Sequence, residues 1–288
     1  TTTRPSVTEL IQALPPLRPA AAASLACLRG ADSEALGHYV AQDVRLAGVA
    51  ACAPETPFFT DHGNQEAGAA PLPSLTPVQA ECVVLIGAVS ECFEDGSGVG
   101  LDRPGLRRHA AAVATLAHAL AERLGADTTK AFTAGLLHDM GRVVLDRHCQ
   151  RGFAAVLRYR NRHDTWIRDA EQAVLGYDHA AVGGALADHW GLPAWLRDVL
   201  RWHHAPQSRA LQPSVTGLVH VADVLARGLS VGDPGDDTVP FLSPAVLERL
   251  GATWGDLRVV LPAVEHERAA ALTLLEGQRF TDEGSGPA

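Results

Sequence analysis

No stretch of apolar residues approaches the roughly 20 that span a bilayer. The first residues, Thr1 to Glu9, also lack a basic region followed by an apolar one. Export and membrane insertion are therefore not expected, and a cytoplasmic location is. Basic charge is short as well: 24 Lys and Arg stand against 33 Asp and Glu, a formal net charge of −9. Nucleic acid and anionic membranes both require a basic surface, so neither is expected as a partner. Cysteine is sparse and unpatterned. Cys27, Cys52, Cys82, Cys92 and Cys149 are odd in number, scattered, and free of C-x-x-C spacing. That excludes a zinc ribbon or redox pair and fits a reducing compartment. Runs of β-branched residues are few and short, and no internal repeat is visible.

What is abundant is alanine and leucine at helical spacing, within a chain that is 47% hydrophobic. The fold class expected is all-α. Helices are expected near Ala20–Arg29 and Ser33–Ala41, followed by a Pro, Gly and Ala-rich loop from Pro54 to Pro73. The stretch Glu94 to Gly100 combines charge with glycine and reads as a boundary. It divides an N-terminal helical subdomain over 1–100 from a second helical subdomain over 101–275. A flexible tail follows over 276–288.

The strongest chemical signal is Gly135-Leu-Leu-His138-Asp139-Met-Gly-Arg142, a His-Asp pair ending an apolar helical run before a glycine that can turn the chain. His109, behind Asp102 and Pro104, shares a face with Val113, Leu116 and Leu120 and should point inward. His179 follows a capping-type Asp178 and lines up with Val182, Leu186 and Trp190. The segment after Pro193 carries Leu196, Val199 and Leu200 into His203-His204. Asp223 interrupts the apolar stretch Leu218 to Leu225, where an unpaired carboxylate would cost several kcal/mol, so it needs a cationic partner or a metal.

Imidazoles and carboxylates converging from five helices are most simply satisfied by a shared divalent ion. The expected ligands are His109, His138, Asp139, His179, His203, His204 and Asp223, and the ion is one of Fe, Mn, Zn, Co or Ni. Seven ligands exceed one ion's needs, so one or two ions are expected. With two, Asp139 could bridge, an arrangement suited to phosphate ester hydrolysis. Arg142 could bind a phosphate or pair with a helix C-terminal carbonyl. His118, His148, His163, His189, His220 and His266 lie off these motifs and read as surface or boundary residues.

The order His109, His138-Asp139, Asp223 is similar to the H…HD…D motif of the HD superfamily of metal-dependent phosphohydrolases. His179 and His203-His204 resemble the extra ligands of the HD-GYP branch, which cleaves cyclic di-GMP. The chain departs from that branch at Ala205-Pro206-Gln207, where Gly-Tyr-Pro would follow. It departs again at Arg142, in place of the usual lysine, and at Gly105, one turn before His109, where a glutamate ligand would stand.

HDOD proteins are the better match. Leu14-Pro-Pro-Leu17 resembles their opening element, Val40-Ala-Gln-Asp43-Val-Arg-Leu46 their V-x-x-D-P-x-L motif with Val44 for proline, and Val84-Leu-Ile-Gly87 the third landmark. Phe58-Phe59 resembles their aromatic pair, and the similarity runs from about Leu14 to Ala226. The resemblance implies an HDOD-type helical fold with an HD-like bundle. It also implies an output module of bacterial signal transduction with a protein partner, in a family without an established general reaction. Retained ligand positions keep two alternatives open: a metal-dependent phosphohydrolase acting on a nucleotide or cyclic dinucleotide, with Asp139 and Arg142 as catalytic residues, and a sensor that binds a nucleotide ligand without cleaving it.

Overall fold

Helical periodicity in the sequence becomes helix throughout. The computed structural model describes residues 4–30, 33–59, 75–90, 98–206 and 215–276, and these contain helices, turns and no strand. The expected helices appear as α2 (Pro19–Gly30) and α3 (Ser33–Ala41), flanked by α1 (Val7–Gln12), α4 (Val44–Cys52) and α5 (Pro77–Val89). Serine, threonine and aspartate start several of them. Ser6 and Thr76 form capping boxes with Glu9 and Gln79, and Asp43 accepts from the Arg45 and Leu46 amides at the start of α4. The loop expected from Pro54 opens instead with a 3-10 turn, Ala53–Glu55, while residues 60–73 lie outside the described residues. So do residues 94–97 of the expected boundary and residues 277–288 of the expected tail.

The second half is organised around the long α6 (Arg103–Leu124), which ends at Gly125 in a left-handed conformation. Against it pack α7 (Thr128–Leu137), α13 (Val215–Gly228), α15 (Trp254–Val260) and α16 (Ala263–Glu276). Beyond α7 come α8 (Met140–His148), α9 (Gln150–His163), α10 (Ile167–Leu175), α11 (His179–Trp190) and α12 (Ala194–Trp202), with α14 (Pro244–Leu250) behind α13. No helix among the described residues is long and apolar enough to cross a membrane. Cys27, Cys52, Cys82 and Cys149 are joined by no disulfide.

One continuous apolar core runs from Leu10 to Leu275. It joins the halves: α5 packs on α7, α16 reaches α4 and α5, and α1 lies on α11. Phe58 stacks on Phe132 of α7 at 3.9 Å between ring centroids, and Phe59 meets the same ring edge-on. The three N-terminal landmarks meet at Arg18, next to Leu17. Its Nε lies 2.7 Å from the Asp43 carboxylate and its Nη2 donates to the Gly87 carbonyl at 2.9 Å.

Candidate metal centre

His109, His138, Asp139, His179, His203 and Asp223 are each no more than 1% exposed, and the His204 side chain is 3% exposed. A buried imidazole needs its two nitrogens served differently. At His138 the Nδ1 faces the Gly135 carbonyl at 2.7 Å, and at His203 it faces the Val199 carbonyl at 3.0 Å. A carbonyl only accepts, so Nδ1 carries the proton in both rings and Nε2 is left bare. At His179 the Nδ1 donates to Glu171 Oε2 at 2.6 Å, and the same oxygen accepts the His179 backbone amide at 2.9 Å.

The three Nε2 atoms converge on Asp139. His138 Nε2 stands 3.3 Å from Oδ2, while His179 and His203 Nε2 stand 3.3 and 3.6 Å from Oδ1. The Nε2 of His138 and of His203 and both Asp139 oxygens accept or donate no formed hydrogen bond, and neither ring nitrogen of His109 has one. Orphaned lone pairs this deeply buried are costly, and imidazoles fixed through Nδ1 with Nε2 free are what metal ligation requires. The donor set therefore fits a borderline divalent ion. It divides into two groups sharing Asp139: His109, His138 and Asp139, and Asp139, His179, His203 and His204. Within each group the ligand atoms lie within 4.8 Å of one another.

Asp223 sits at the edge, its Oδ1 3.0 Å from both His109 Nε2 and Arg227 Nε. The cationic partner its burial demands is Arg227, one helical turn away in α13. Arg142 is fully buried, with Nη1 2.9 Å from Asp139 Oδ2. It also donates to the Pro234 carbonyl, which belongs to a loop after α13 rather than to a helix end.

Protonation follows these contacts. Burial lowers the pKa of His109, of His203 to about 4, and of His204 well below the usual range, so all three are neutral. At His138 burial acts downward too, but the Asp139 carboxylate outweighs it and the pKa rises. At His179 burial and Arg142 act downward, yet Glu171 and Asp139 lift the value to about 9. Against the cost of burial, Arg142 and then His138 hold the Asp139 carboxyl well below the usual carboxylate range.

All seven expected ligands and Arg142 are thus brought together. Glu171, Arg227, His220 and Asp236 are additions that the sequence reading missed. Glu171 lies between Ile167 and Leu175 at four-residue spacing, a carboxylate on an apolar stripe that could have been found as Asp223 was. Two histidines read as surface or boundary residues are buried instead. His220 packs beneath the centre and donates Nδ1 to the His203 carbonyl at 2.8 Å, and His118 meets Phe58 edge-on.

Comparison with known proteins agrees with this architecture. An HDOD domain protein of unknown function from Geobacter sulfurreducens superposes with a TM-score of 0.69 at 22% identity, covering 93% of this chain and 97% of its own. A candidate phosphohydrolase from Shewanella amazonensis SB2B gives 0.67 at 21% identity, over 96% and 100%. A candidate metal-dependent phosphohydrolase from the same organism gives 0.60 at 14%, over 92% and 96%. No curated protein matches the chain. The HDOD domain model matches residues 77–206, so this chain carries an HDOD domain within the all-α fold that HDOD proteins share.

Proposed function

We propose that the protein is a regulatory module of bacterial signal transduction whose HD-type centre holds one divalent ion as a staple between helices. The observation behind this reading is the set of bare imidazole nitrogens around Asp139, beside a fully buried Arg142 whose Nη1 already meets Asp139 and Pro234. That arginine has no open side from which to bind a substrate phosphate. Charge counting supports a single ion. The centre holds four buried carboxylates, Asp139, Glu171, Asp223 and Asp236, against two buried guanidiniums, Arg142 and Arg227, which leaves two negative charges when the imidazoles are neutral. One divalent cation balances them.

A bound ion would supply those charges and Lewis acidity. Asp139 and imidazoles of the two groups that share it would hold it, Glu171 would orient His179, and a protein partner would read the helical surface. The second reading is a phosphohydrolase acting on a nucleotide or cyclic dinucleotide. Asp139 shared between two ligand groups favours it, because a two-ion site needs such a bridge.

His138→Ala separates the two. The module is expected to lose its ion and melt at a lower temperature, with no turnover to lose on a nucleotide panel. A wild-type chain that hydrolyses a phosphodiester, and a folded His138→Ala variant that does not, would overturn the regulatory reading.

A further inference from the structure

Ligands this deeply buried pose a question of access, because an ion cannot reach them unless some wall of the centre moves. Most walls are the helices that carry ligands, together with the His203–His204 turn. Moving them means breaking backbone ladders and the apolar core. Among the described residues the exception is the Gly232-Asp-Pro-Gly-Asp236 strap after α13, which has no helix and touches α6, α8, α9, α10 and α13. Its Asp233 amide donates to the Gly105 carbonyl on α6 at 3.0 Å. Its Pro234 and Gly235 carbonyls accept from Arg142 and Arg160. Its Asp236 carboxylate accepts the Ile167 amide at the start of α10 at 2.9 Å and Arg227 Nη1 at 3.1 Å.

Two facing glycines let the strap lie this close. Gly232 adopts φ +78°, and a Cβ there would collide with the His109 amide nitrogen and come within 2.8 Å of its Cα. A Cβ at Gly105 would stand 2.7 Å from the Asp233 Cβ. The glutamate that the HD-GYP resemblance places at 105 would therefore clash with the strap. Side-chain-mediated hydrogen bonds and one backbone bond hold the segment shut, a smaller barrier than unpacking a core helix.

We infer that the Gly232–Asp236 strap is the gate of the centre, the segment whose opening admits and releases the ion. This rests on the reading of the centre as a metal site, and the test keeps the two claims apart. Two variants loosen the strap: Gly232→Ala wedges it off α6 at the His109 backbone, and Arg160→Ala, which touches no ligand, removes the grip on the Gly235 carbonyl. The first readout is the release rate of loaded Zn²⁺ to excess chromogenic chelator. The second needs no ion: the rate at which diethyl pyrocarbonate modifies His109, His138, His179 and His203 in chelator-treated protein, followed by mass spectrometry. Both rates are expected to rise about tenfold in each variant that melts as a folded protein, with Zn²⁺ stoichiometry unchanged. Should Gly232→Ala fail to fold, Arg160→Ala decides alone. Modification rates equal to wild type in the folded variants overturn the gate. If Zn²⁺ never loads but modification accelerates, the gate stands and the metal reading fails.

Discussion

Glu171 accepts both the Nδ1 proton and the backbone amide of His179, so one carboxylate sets the ring's position and tautomer. Ion binding must displace the proton that His179 holds up to about pH 9. The raised pKa therefore opposes loading below that pH and releases its hold as pH climbs. Affinity for Zn²⁺ is expected to rise about tenfold per pH unit between pH 6 and 8 for each imidazole that must lose a proton. Glu171→Ala should weaken binding about 10- to 100-fold at pH 8, and Glu171→Gln, which still offers an acceptor, less. Competition titrations against a fluorescent chelator across that range measure both. Unchanged affinity in Glu171→Ala would show that the carboxylate does not position the ligand. The ligands themselves were legible in the primary structure because each interrupts or ends an apolar helical stripe. Arg142's commitment to Pro234 was not, since it joins residues 92 positions apart.

Between elements, the glycine after the His-Asp pair does something other than turn the chain. The chain continues almost directly from α7 into α8, and Gly141 lies inside α8. It is small because α11 crosses there. A Cβ would collide with the His179 carbonyl oxygen and stand 2.9 Å from the Gly183 amide nitrogen. Gly141→Ala is thus expected to destabilise the protein by about 1–3 kcal/mol through overpacking, shifting His179 as it does so. Gly37, inside α3, meets nothing within 4 Å, and Gly37→Ala should stabilise by about 0.5–1 kcal/mol. Urea denaturation compares the two, and shifts of the same sign would contradict the packing assigned at Gly141. Helix existence was readable from alanine and leucine periodicity. The reason for a particular glycine was not, because it depends on which helix crosses it.

For the molecule as a whole, the expected boundary near residue 100 marks a change of local composition, while the core passes through it. Phe58 is the clearest tie between the halves, 2% exposed and stacked on Phe132. Phe58→Ala should cost about 3–5 kcal/mol, and wild-type unfolding should be one transition coincident by circular dichroism and tryptophan fluorescence. Two separated transitions in the wild type would show that the halves fold independently. The helical content and N-terminal landmarks were visible in the sequence, whereas the joining of those landmarks at Arg18 emerges only in three dimensions. The central claim is that buried imidazoles around Asp139 hold one divalent ion. Elemental analysis of full-length protein purified without chelator or a metal-affinity column tests it directly. About one Fe, Mn, Zn, Co or Ni per chain is the expected result; no ion, with none taken up on reconstitution, would contradict it.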